Sequence, residues 1–146
     1  MEYIKEQTGV KDFTPIHDKS KFFLGWWARN DVQYTPTSLF VYGDNLVKSG
    51  RGGQAVIRDF NNTACIPTKK IPNFQAASYM TDGEYDMNMN AIVNSIIHVI
   101  NESQKYEIVY FPRDGLGSGL AKLNITAPAT YEMLNFLILE CFGIKY

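Results

Sequence analysis

The alternation of strand-like and helix-like segments along the chain predicts an α/β sandwich with a largely parallel sheet. Three short apolar and β-branched runs, "SLFVYG", "TACI" and "EIVYF", are typical of buried strands. A long pattern of helical period separates the second run from the third. Glycine-rich loops follow the first and third runs, so both loops belong at the carboxyl edge of the predicted sheet, where α/β proteins bind ligands.

The first strand-like run leads into a predicted helix from Gly53 to Phe60. The segment 67–86 has no clear period and contains two prolines and a glycine, which predicts a long loop. A strong i, i+3, i+4, i+7 pattern predicts a helix from about Met87 to Glu102. For the last helix, Thr126 is the predicted N-cap, Pro128 suits the first turn and Gly143 the end.

The N-terminal part of the chain carries a different pattern. The first 13 residues, "MEYIKEQTGVKDF", lack the basic start and apolar run of a signal peptide, and no segment reaches the roughly twenty apolar residues of a membrane span. We therefore predict a cytoplasmic protein with no membrane partner. The following segment, from Pro15 to Val32, is predicted to form one or two short helices whose aromatic side chains pack in the core.

The composition limits the functions that can be considered. The 146 residues are 45% hydrophobic and 20% charged with a formal net charge of -1, which suits one soluble domain and makes nucleic-acid binding an unfavoured function. Cys65 and Cys141 lie far apart in apolar surroundings, which predicts two buried free thiols in a reducing compartment. His17 and His98 show no metal-ligand spacing, and we predict neither a metal nor a cofactor.

The first glycine-rich loop, "KSGRGGQ", has the chemistry of an anion site. Glycines let several backbone N–H groups converge on a ligand, a following helix adds the positive end of its dipole, and Lys48 and Arg51 add charge. The loop matches neither the P-loop pattern nor the dinucleotide-binding pattern. Alone it is as compatible with a structural turn as with a site. Two such loops after two strands predict a ligand gripped at two ends.

These motifs resemble those of the macro domain, the module that binds ADP-ribose and its derivatives. "GDNLVKSGRGGQAVIRDF" is similar to its first loop, and "GLGSGLAKL" is similar to the loop that wraps the diphosphate and distal ribose. "IPTKK" and "PRDGLGSGLAKL" are similar to the branch that includes the terminal ADP-ribose protein glycohydrolase. The run "GDN…GGQA…IPTK" also resembles small uncharacterised bacteriophage proteins.

The resemblance covers the chain from about Leu39 to the C-terminus. It implies one macro-like domain over residues 1–146, a three-layer α/β/α sandwich with a mixed, largely parallel sheet. Within it, residues 1–38 form a divergent N-terminal segment without a clear counterpart, and residues 39–146 form the ligand-binding core.

The resemblance also assigns roles to residues. Lys69 occupies the place of the lysine that attacks the distal ribose through a Schiff base, which requires a neutral fraction that Lys70 and Arg51 would promote. Ala121 stands where the glycohydrolase has a catalytic aspartate, so either Asp114 replaces that acid or the protein only binds. For the adenine, Asp31, Asp44 and stacking on Tyr42, Trp26 or Trp27 remain alternatives. The expected ligand-binding residues are Asp44, Asn45, Arg51, Gly52, Gly53, Gln54, Arg113, Gly115, Gly117, Ser118, Gly119 and Leu120.

Three functions are therefore open at the level of sequence. The first is a protein that binds an ADP-ribose-type or NAD-derived nucleotide, free or attached to a macromolecule, with hydrolysis at the distal ribose as a further step. The second is a non-enzymatic protein, encoded by a phage, that sequesters a nucleotide signal of host defence. The third is an RNA- or protein-interaction module built on the aromatic N-terminal segment. Lys69 favours the enzyme, whereas Ala121 favours sequestration.

Overall fold

The computed structural model describes residues 15–146, and the N-terminal stretch used above to predict the absence of a signal peptide lies outside them. The protein is an α/β sandwich around a four-stranded sheet of order β1-β4-β2-β3. The elements are, in chain order, β1 (Ser20–Phe22), α1 (Arg29–Gln33), β2 (Ser38–Asn45), a 3-10 helix (Gly53–Ile57), β3 (Thr63–Lys69), two 3-10 turns (Ala76–Ser78 and Asp82–Glu84), α2 (Tyr85–Ser103), β4 (Ile108–Phe111), α3 (Leu123–Thr126) and α4 (Pro128–Phe142).

All pairings among the described strands are parallel, which confirms the predicted α/β class. β2 is one of the two inner strands and pairs with β3 from Phe40 opposite Thr63 to Asn45 opposite Lys69. Its pairing with β4 is shorter and ends where Phe40 lies opposite Tyr110. The carboxyl half of β2 therefore extends beyond β4 and leaves a gap between the two strands.

Alternate residues of β2 divide the core into two clusters, as expected for a strand covered on both faces. Leu39 and Val41 pack with α2 and α4, and this cluster includes Phe111 and Phe142 with ring centroids 4.7 Å apart. Phe40 and Tyr42 face the opposite side, where a smaller cluster is covered by α1 and the 3-10 helix. Members of the smaller cluster that come from outside the sheet are Trp27, Val32, Ala55 and Ile57.

Two elements differ from those predicted by the sequence. The segment Pro15–Val32 holds a strand as well as a helix, because Ser20–Phe22 pairs with β4 and extends the sheet. The expected helix from Gly53 to Phe60 is a 3-10 helix that ends at Ile57, and Asp59 with a φ of 84° terminates the segment. The macrodipole of so short a helix is small, so an anion there must depend on individual N–H groups.

The remaining helices follow the sequence more closely. α2 spans Tyr85–Ser103, and Pro128 begins α4, whose end is closed by Gly143 at a φ of 69°. The N-cap of α4 is Ala127 and not the predicted Thr126. Thr126 belongs to α3, where its hydroxyl donates to the carbonyl oxygen of Lys122 over 3.2 Å. None of the helices within residues 15–146 is long and apolar enough to cross a membrane.

Candidate functional site

A crevice opens between the carboxyl ends of β2 and β4, where the two connections leave the sheet on opposite faces. The first loop, residues 46–52, runs from β2 to the 3-10 helix on the face of the smaller cluster. The second loop, residues 112–122, runs from β4 to α3 and α4 on the other face. Such a switch point separates neighbouring loops and creates the usual ligand crevice of parallel α/β sheets.

A cavity of about 640 Å³ occupies this crevice, a volume within the range of small-molecule and cofactor sites. Both loops and the end of β3 contribute to its wall. Its lining residues are Trp26, Gly43, Asp44, Asn45, Ser49, Gly50, Arg51, Gly52, Gly53, Gln54, Ala55, Thr68, Lys69, Pro72, Phe74, Gly117, Gly119, Leu120 and Ala121.

The first loop presents a continuous row of unused hydrogen-bond donors to this cavity. The backbone N–H groups of the five residues from Gly50 to Gln54 have no acceptor among residues 15–146. All five of these residues line the cavity. Gly50 and Gly53 have φ angles of 87° and 57°, a region that glycine reaches without a Cβ clash. Consecutive N–H groups in such a loop form an anion-binding concavity.

Side chains inside the loop hold this conformation. The Asn45 amide donates to the carbonyl oxygen of Ser49 over 2.7 Å, and the Asn45 side-chain oxygen accepts from the Ser49 N–H. Arg58 donates to both carboxylate oxygens of Asp44 and, from its Nε, to the carbonyl oxygen of Gly50 over 2.8 Å. The Asp44 side chain is fully buried, and its hydrogen bonds raise the pKa of Arg58. Asn45 directly, and Asp44 through Arg58, thus stabilise the conformation of the loop.

Gln54 connects the first loop to the second. Its side-chain oxygen accepts from the backbone N–H of Gly43 over 2.8 Å, and its side-chain nitrogen donates to the carbonyl oxygen of Gly115 over 2.7 Å. Gly43 lies in the part of β2 that extends beyond β4, so its N–H has lost a strand partner and Gln54 replaces it. The backbone carbonyl of Gln54 accepts from the indole of Trp27 over 3.2 Å.

In the second loop, one glycine has no space for a side chain and another has open space around it. A Cβ on Gly117, whose φ is 85°, would lie 2.9 Å from the Cβ of Leu123 and 3.2 Å from the Cβ of Thr68. A Cβ on Gly119 would meet nothing within 4 Å. The backbone N–H groups from Gly117 to Ala121 have no acceptor among the described residues. All of these residues except Ser118 line the cavity, so the second loop also has free N–H groups at the cavity wall.

Lys69 is the buried cation of the cavity, with only 8% of the residue exposed. A register shift in the β2–β3 ladder sets Lys69, and not Thr68, opposite Asn45. The Lys69 ammonium lies 4.8 Å from the ring centroids of both Phe74 and Tyr79 and pairs with no carboxylate within residues 15–146. Burial, and secondarily the charge of Lys122, lower the pKa of Lys69.

Three exposed apolar side chains line the cavity, where they are available to contact a ligand. Trp26 is 75% exposed, Phe74 is 74% exposed and Leu120 is 55% exposed. Single exposed apolar residues are common, but three on the wall of one cavity are a feature of that cavity. Of the three aromatic residues considered above for stacking, Trp26 lines the cavity, whereas Trp27 and Tyr42 are buried in the smaller cluster.

The structure brings together most of the residues that the sequence suggested as a site. Asp44, Asn45, Arg51, Gly52, Gly53, Gln54, Lys69, Gly117, Gly119 and Leu120 all line the cavity. Arg113 and Asp114 do not, because they line a small separate cleft beside Trp27. Gly115 and Ser118 are also outside the lining, and each serves the loop instead, Gly115 as the acceptor of Gln54 and Ser118 as a donor to the carbonyl of Asp114.

The residues expected to tune Lys69 are different in the structure. Lys70 forms an ion pair with Glu84 at 2.7 Å, and Arg51 forms one with Asp59. Lys122 is the positive group that acts on Lys69. Asp31 is likewise committed elsewhere, since its carboxylate accepts from the Ala28 N–H at the start of α1 over 2.6 Å.

Four contributors to the site escaped the sequence reading: Arg58, Phe74, Tyr79 and the charge of Lys122. Each reaches the site through a tertiary contact with a residue distant in sequence.

The expected pair of buried free cysteines is half right, because Cys141 is buried and Cys65 is half-buried. Burial and the neighbouring Asp44 raise the pKa of the Cys65 thiol to about 11, which leaves it protonated and unreactive. Among residues 15–146, no cluster of side chains could hold a metal ion.

The fold and cavity define a parallel α/β protein with a donor-rich crevice at its topological switch point. The chain belongs to a family of unknown function, DUF7831, whose family model matches residues 22–136. No curated protein and no solved structure matches the chain.

Proposed function

We propose that this protein binds an ADP-ribose-type or NAD-derived nucleotide in the crevice and retains it without turnover. The observation that carries the proposal is the row of free N–H groups from Gly50 to Gln54 at the wall of a cavity that residues of the loop after β4, with free N–H groups of their own, also line. A diphosphate between two sets of backbone donors satisfies both, and the adenosine at one end of such a ligand and the ribose or second nucleoside at the other extend beyond them.

The rest of the cavity suits the other parts of such a ligand. Exposed aromatic surface at Trp26 and Phe74 provides a stacking platform for a base, and stacking of this kind tolerates different bases. Lys69, which pairs with no carboxylate among the described residues, adds positive charge at the wall and favours an anionic ligand, whereas Arg51 lies there as an ion pair with Asp59. The resemblance of both loops to macro-domain loops supports the same ligand class.

Retention is favoured over hydrolysis by the carboxylates available to the cavity. Asp44 is the one acidic residue among its described lining residues, and both of its oxygens accept from Arg58. Ala121 lines the cavity at the position of the glycohydrolase aspartate, and Asp114 lines the neighbouring cleft instead. General acid–base chemistry needs a group within hydrogen-bond reach of the reacting atoms, and none of residues 15–146 that line the cavity supplies a free carboxylate.

Hydrolysis through Lys69 is the second candidate function. It is favoured by the lowered pKa of Lys69, because a neutral amine is required for attack on the ring-opened distal ribose. The two functions share the binding step and differ in the fate of the ligand. Retention also suits a phage-encoded protein that sequesters a nucleotide signal of host defence.

Calorimetry with ADP-ribose, its cyclic and phosphorylated forms and NAD tests the binding step. We expect a dissociation constant of about micromolar order for at least one of them. Gly52 is the best position for a blocking substitution, because its φ is negative and an added Cβ would lie 3.7 Å from Leu120. We expect Gly52→Glu to abolish binding by repelling the diphosphate, and the uncharged Gly52→Gln to retain more of it.

Failure of every ligand in this panel to bind the wild-type protein would contradict the proposal. Native mass spectrometry of the complex before and after incubation separates the two candidate functions. An unchanged ligand mass supports retention. Appearance of a cleaved product that depends on Lys69 supports hydrolysis instead.

A further inference from the structure

Three side chains of the cavity wall have the chemistry that distinguishes one base from another. Within residues 15–146, the carboxylate and amide side chains that line the cavity are those of Asp44, Asn45 and Gln54. A carboxylate accepts from the amino group of a base, and an amide pairs with a neighbouring donor and acceptor on a base edge. Such a group can discriminate between bases only if its polar atoms are free to face the ligand.

The Asp44 carboxylate is not free. Arg58 donates to both of its oxygens, and the backbone N–H of Asn45 donates to one of them over 2.8 Å. The Asp44 side chain is also fully buried, although backbone atoms of the residue reach the cavity wall. A base could reach this carboxylate only by separating it from Arg58.

The two amides are occupied in the same way. The Asn45 side chain binds the backbone of Ser49 through both its nitrogen and its oxygen, and only 7% of Asn45 is exposed. The Gln54 side chain uses its oxygen for the Gly43 N–H and its nitrogen for the Gly115 carbonyl. Turning either amide towards a base would break the contacts that hold the glycine loops.

The other polar side chains of the described wall are poorly suited to reading a base. Ser49 and Thr68 have hydroxyl groups, which donate or accept and therefore adapt to different base edges. Arg51 pairs with Asp59, and the Lys69 ammonium lies over the rings of Phe74 and Tyr79. The wall thus combines exposed aromatic surface with polar side chains that are either adaptable or already engaged.

We propose that this cavity recognises the diphosphate and the ribose next to it but does not read the edge of the base, which it holds by stacking alone. The inference rests on the proposed function and widens its ligand class from adenine nucleotides to nucleoside diphosphate riboses with different purines. Every base has a π-face on which an exposed ring such as Trp26 or Phe74 can stack, so stacking tolerates a change of base.

Calorimetry with three ligands that differ only in the base tests this inference. They are ADP-ribose and its hypoxanthine and guanine analogues. Hypoxanthine replaces the 6-amino donor of adenine with a carbonyl acceptor, and guanine adds a 2-amino donor to that change. We expect the three dissociation constants for the wild-type protein to agree within about fivefold, whereas a bidentate contact to the base edge discriminates by about 5- to 150-fold.

Two variants show whether the retained affinity depends on the face of the base. Trp26→Ala should weaken all three ligands by the same factor within about fivefold, because it removes a stacking surface and no edge contact. Arg51→Met, which removes the exposed cation of the described wall, should likewise leave the ratios of the three affinities unchanged. Leu24→Ala is the control, because Leu24 is exposed outside the cavity lining.

The outcomes distinguish this inference from the function on which it rests. Binding of ADP-ribose more than about fivefold tighter than its analogues would overturn the inference and leave the proposed function intact. A preference for guanine or hypoxanthine that Arg51→Met removes would also overturn it and would identify Arg51 as the reader of the base. Absence of binding by all three ligands would overturn the inference, and if NAD and the cyclic and phosphorylated forms also failed to bind, the proposed function would fall with it.

Discussion

Gln54 and Gly115 join the two glycine loops, because the Gln54 side-chain amide donates to the Gly115 carbonyl oxygen over 2.7 Å. The same side chain accepts from the Gly43 N–H over 2.8 Å, so it also ties the 3-10 helix to β2. The resemblance to macro-domain loops implied a ligand-binding role for Gln54. The structure shows that its side chain spans the floor of the crevice between β2 and the second loop.

We expect Gln54→Ala to reduce the free energy of unfolding by about 1–3 kcal/mol, because it leaves the Gly43 N–H and the Gly115 carbonyl without their partners. Ligand affinity should fall too, since the two loops lose their connection. Gln54→Glu should do no better, because it sets a carboxylate oxygen against the Gly115 carbonyl. Urea denaturation with Gln104→Ala, an exposed control at the end of α2, checks the change. Equal stability of the Gln54 and Gln104 variants would exclude this role.

The Arg58–Asp44 ion pair is expected to matter more for stability than the exposed ion pairs of this chain. Arg58→Met leaves a fully buried carboxylate without its partner, which should cost about 3–5 kcal/mol. Lys105→Met, which removes an exposed pair, should cost less than about 1 kcal/mol.

The double variant Asp44→Asn/Arg58→Met should recover a large part of the loss, because it leaves no unpaired buried charge. Denaturant unfolding of all four proteins measures these differences. A double variant as unstable as Arg58→Met would show that the loop contacts of Arg58, and not its charge, determine the loss.

Two glycines of the second loop should respond differently to alanine. Gly117→Ala combines a left-handed φ with a Cβ contact of 2.9 Å to Leu123, and we expect a cost of about 2–4 kcal/mol. Gly119→Ala meets open space and should change stability by less than about 0.5 kcal/mol. Thermal or urea unfolding of the two variants checks the contrast, and a tolerated Gly117→Ala would mean that Leu123 can move aside.

The pKa of Lys69 predicts a specific pH dependence of stability. Burial first, and then the charge of Lys122, hold this pKa below its ordinary 10.5. Between the lowered value and 10.5 the unfolded chain binds more protons than the folded one, so the contribution of Lys69 to stability rises with pH in that window. Relative to Lys69→Met, the wild-type protein should therefore gain stability as the pH is raised towards 10.5.

Urea denaturation of the wild type, Lys69→Met and Lys122→Met across that window measures the effect. Lys122→Met should weaken the pH dependence only in part, since burial is the larger cause. An identical pH dependence in the wild type and Lys69→Met would show that the folded and unfolded pKa values are equal.

The elements with strong local sequence signals were predicted correctly, and those without such signals were not. β2 was predicted because it is a continuous apolar and β-branched run ended by glycine, and α2 because its apolar residues repeat with the period of a helix. β1 was missed because its three residues are largely exposed and only pairing with β4 makes them a strand. The helix predicted after Gly53 failed because the apolar spacing cannot reveal that Asp59 turns to positive φ.

The same distinction applies to the site. The glycines of both loops were visible because glycine marks unusual backbone geometry in any context. Arg58 and Lys122 were assigned no role because an arginine or lysine in a loop has no local signal for its partner. Arg58 reaches back 14 residues to Asp44, and Lys122 meets Tyr79 only once the second loop is folded. Ion pairs and cation–π contacts of this range are determined by the tertiary structure.

Trp26 is expected to stack on the base of the ligand. It is 75% exposed, it lines the cavity, and it is followed by Trp27, which is anchored in the core by a hydrogen bond to Gln54. An exposed indole held next to a rigid neighbour loses little conformational entropy when it stacks on a base. Base–aromatic stacking contributes about 1–3 kcal/mol to the binding free energy. We therefore expect Trp26→Ala to weaken binding about 5- to 150-fold with little change in stability.

Leu24→Ala is the matched control, because Leu24 is 87% exposed and does not line the cavity. Calorimetry measures both affinities, and equal values for the two variants would place the base elsewhere in the crevice, with Phe74 as the remaining exposed aromatic residue of its wall.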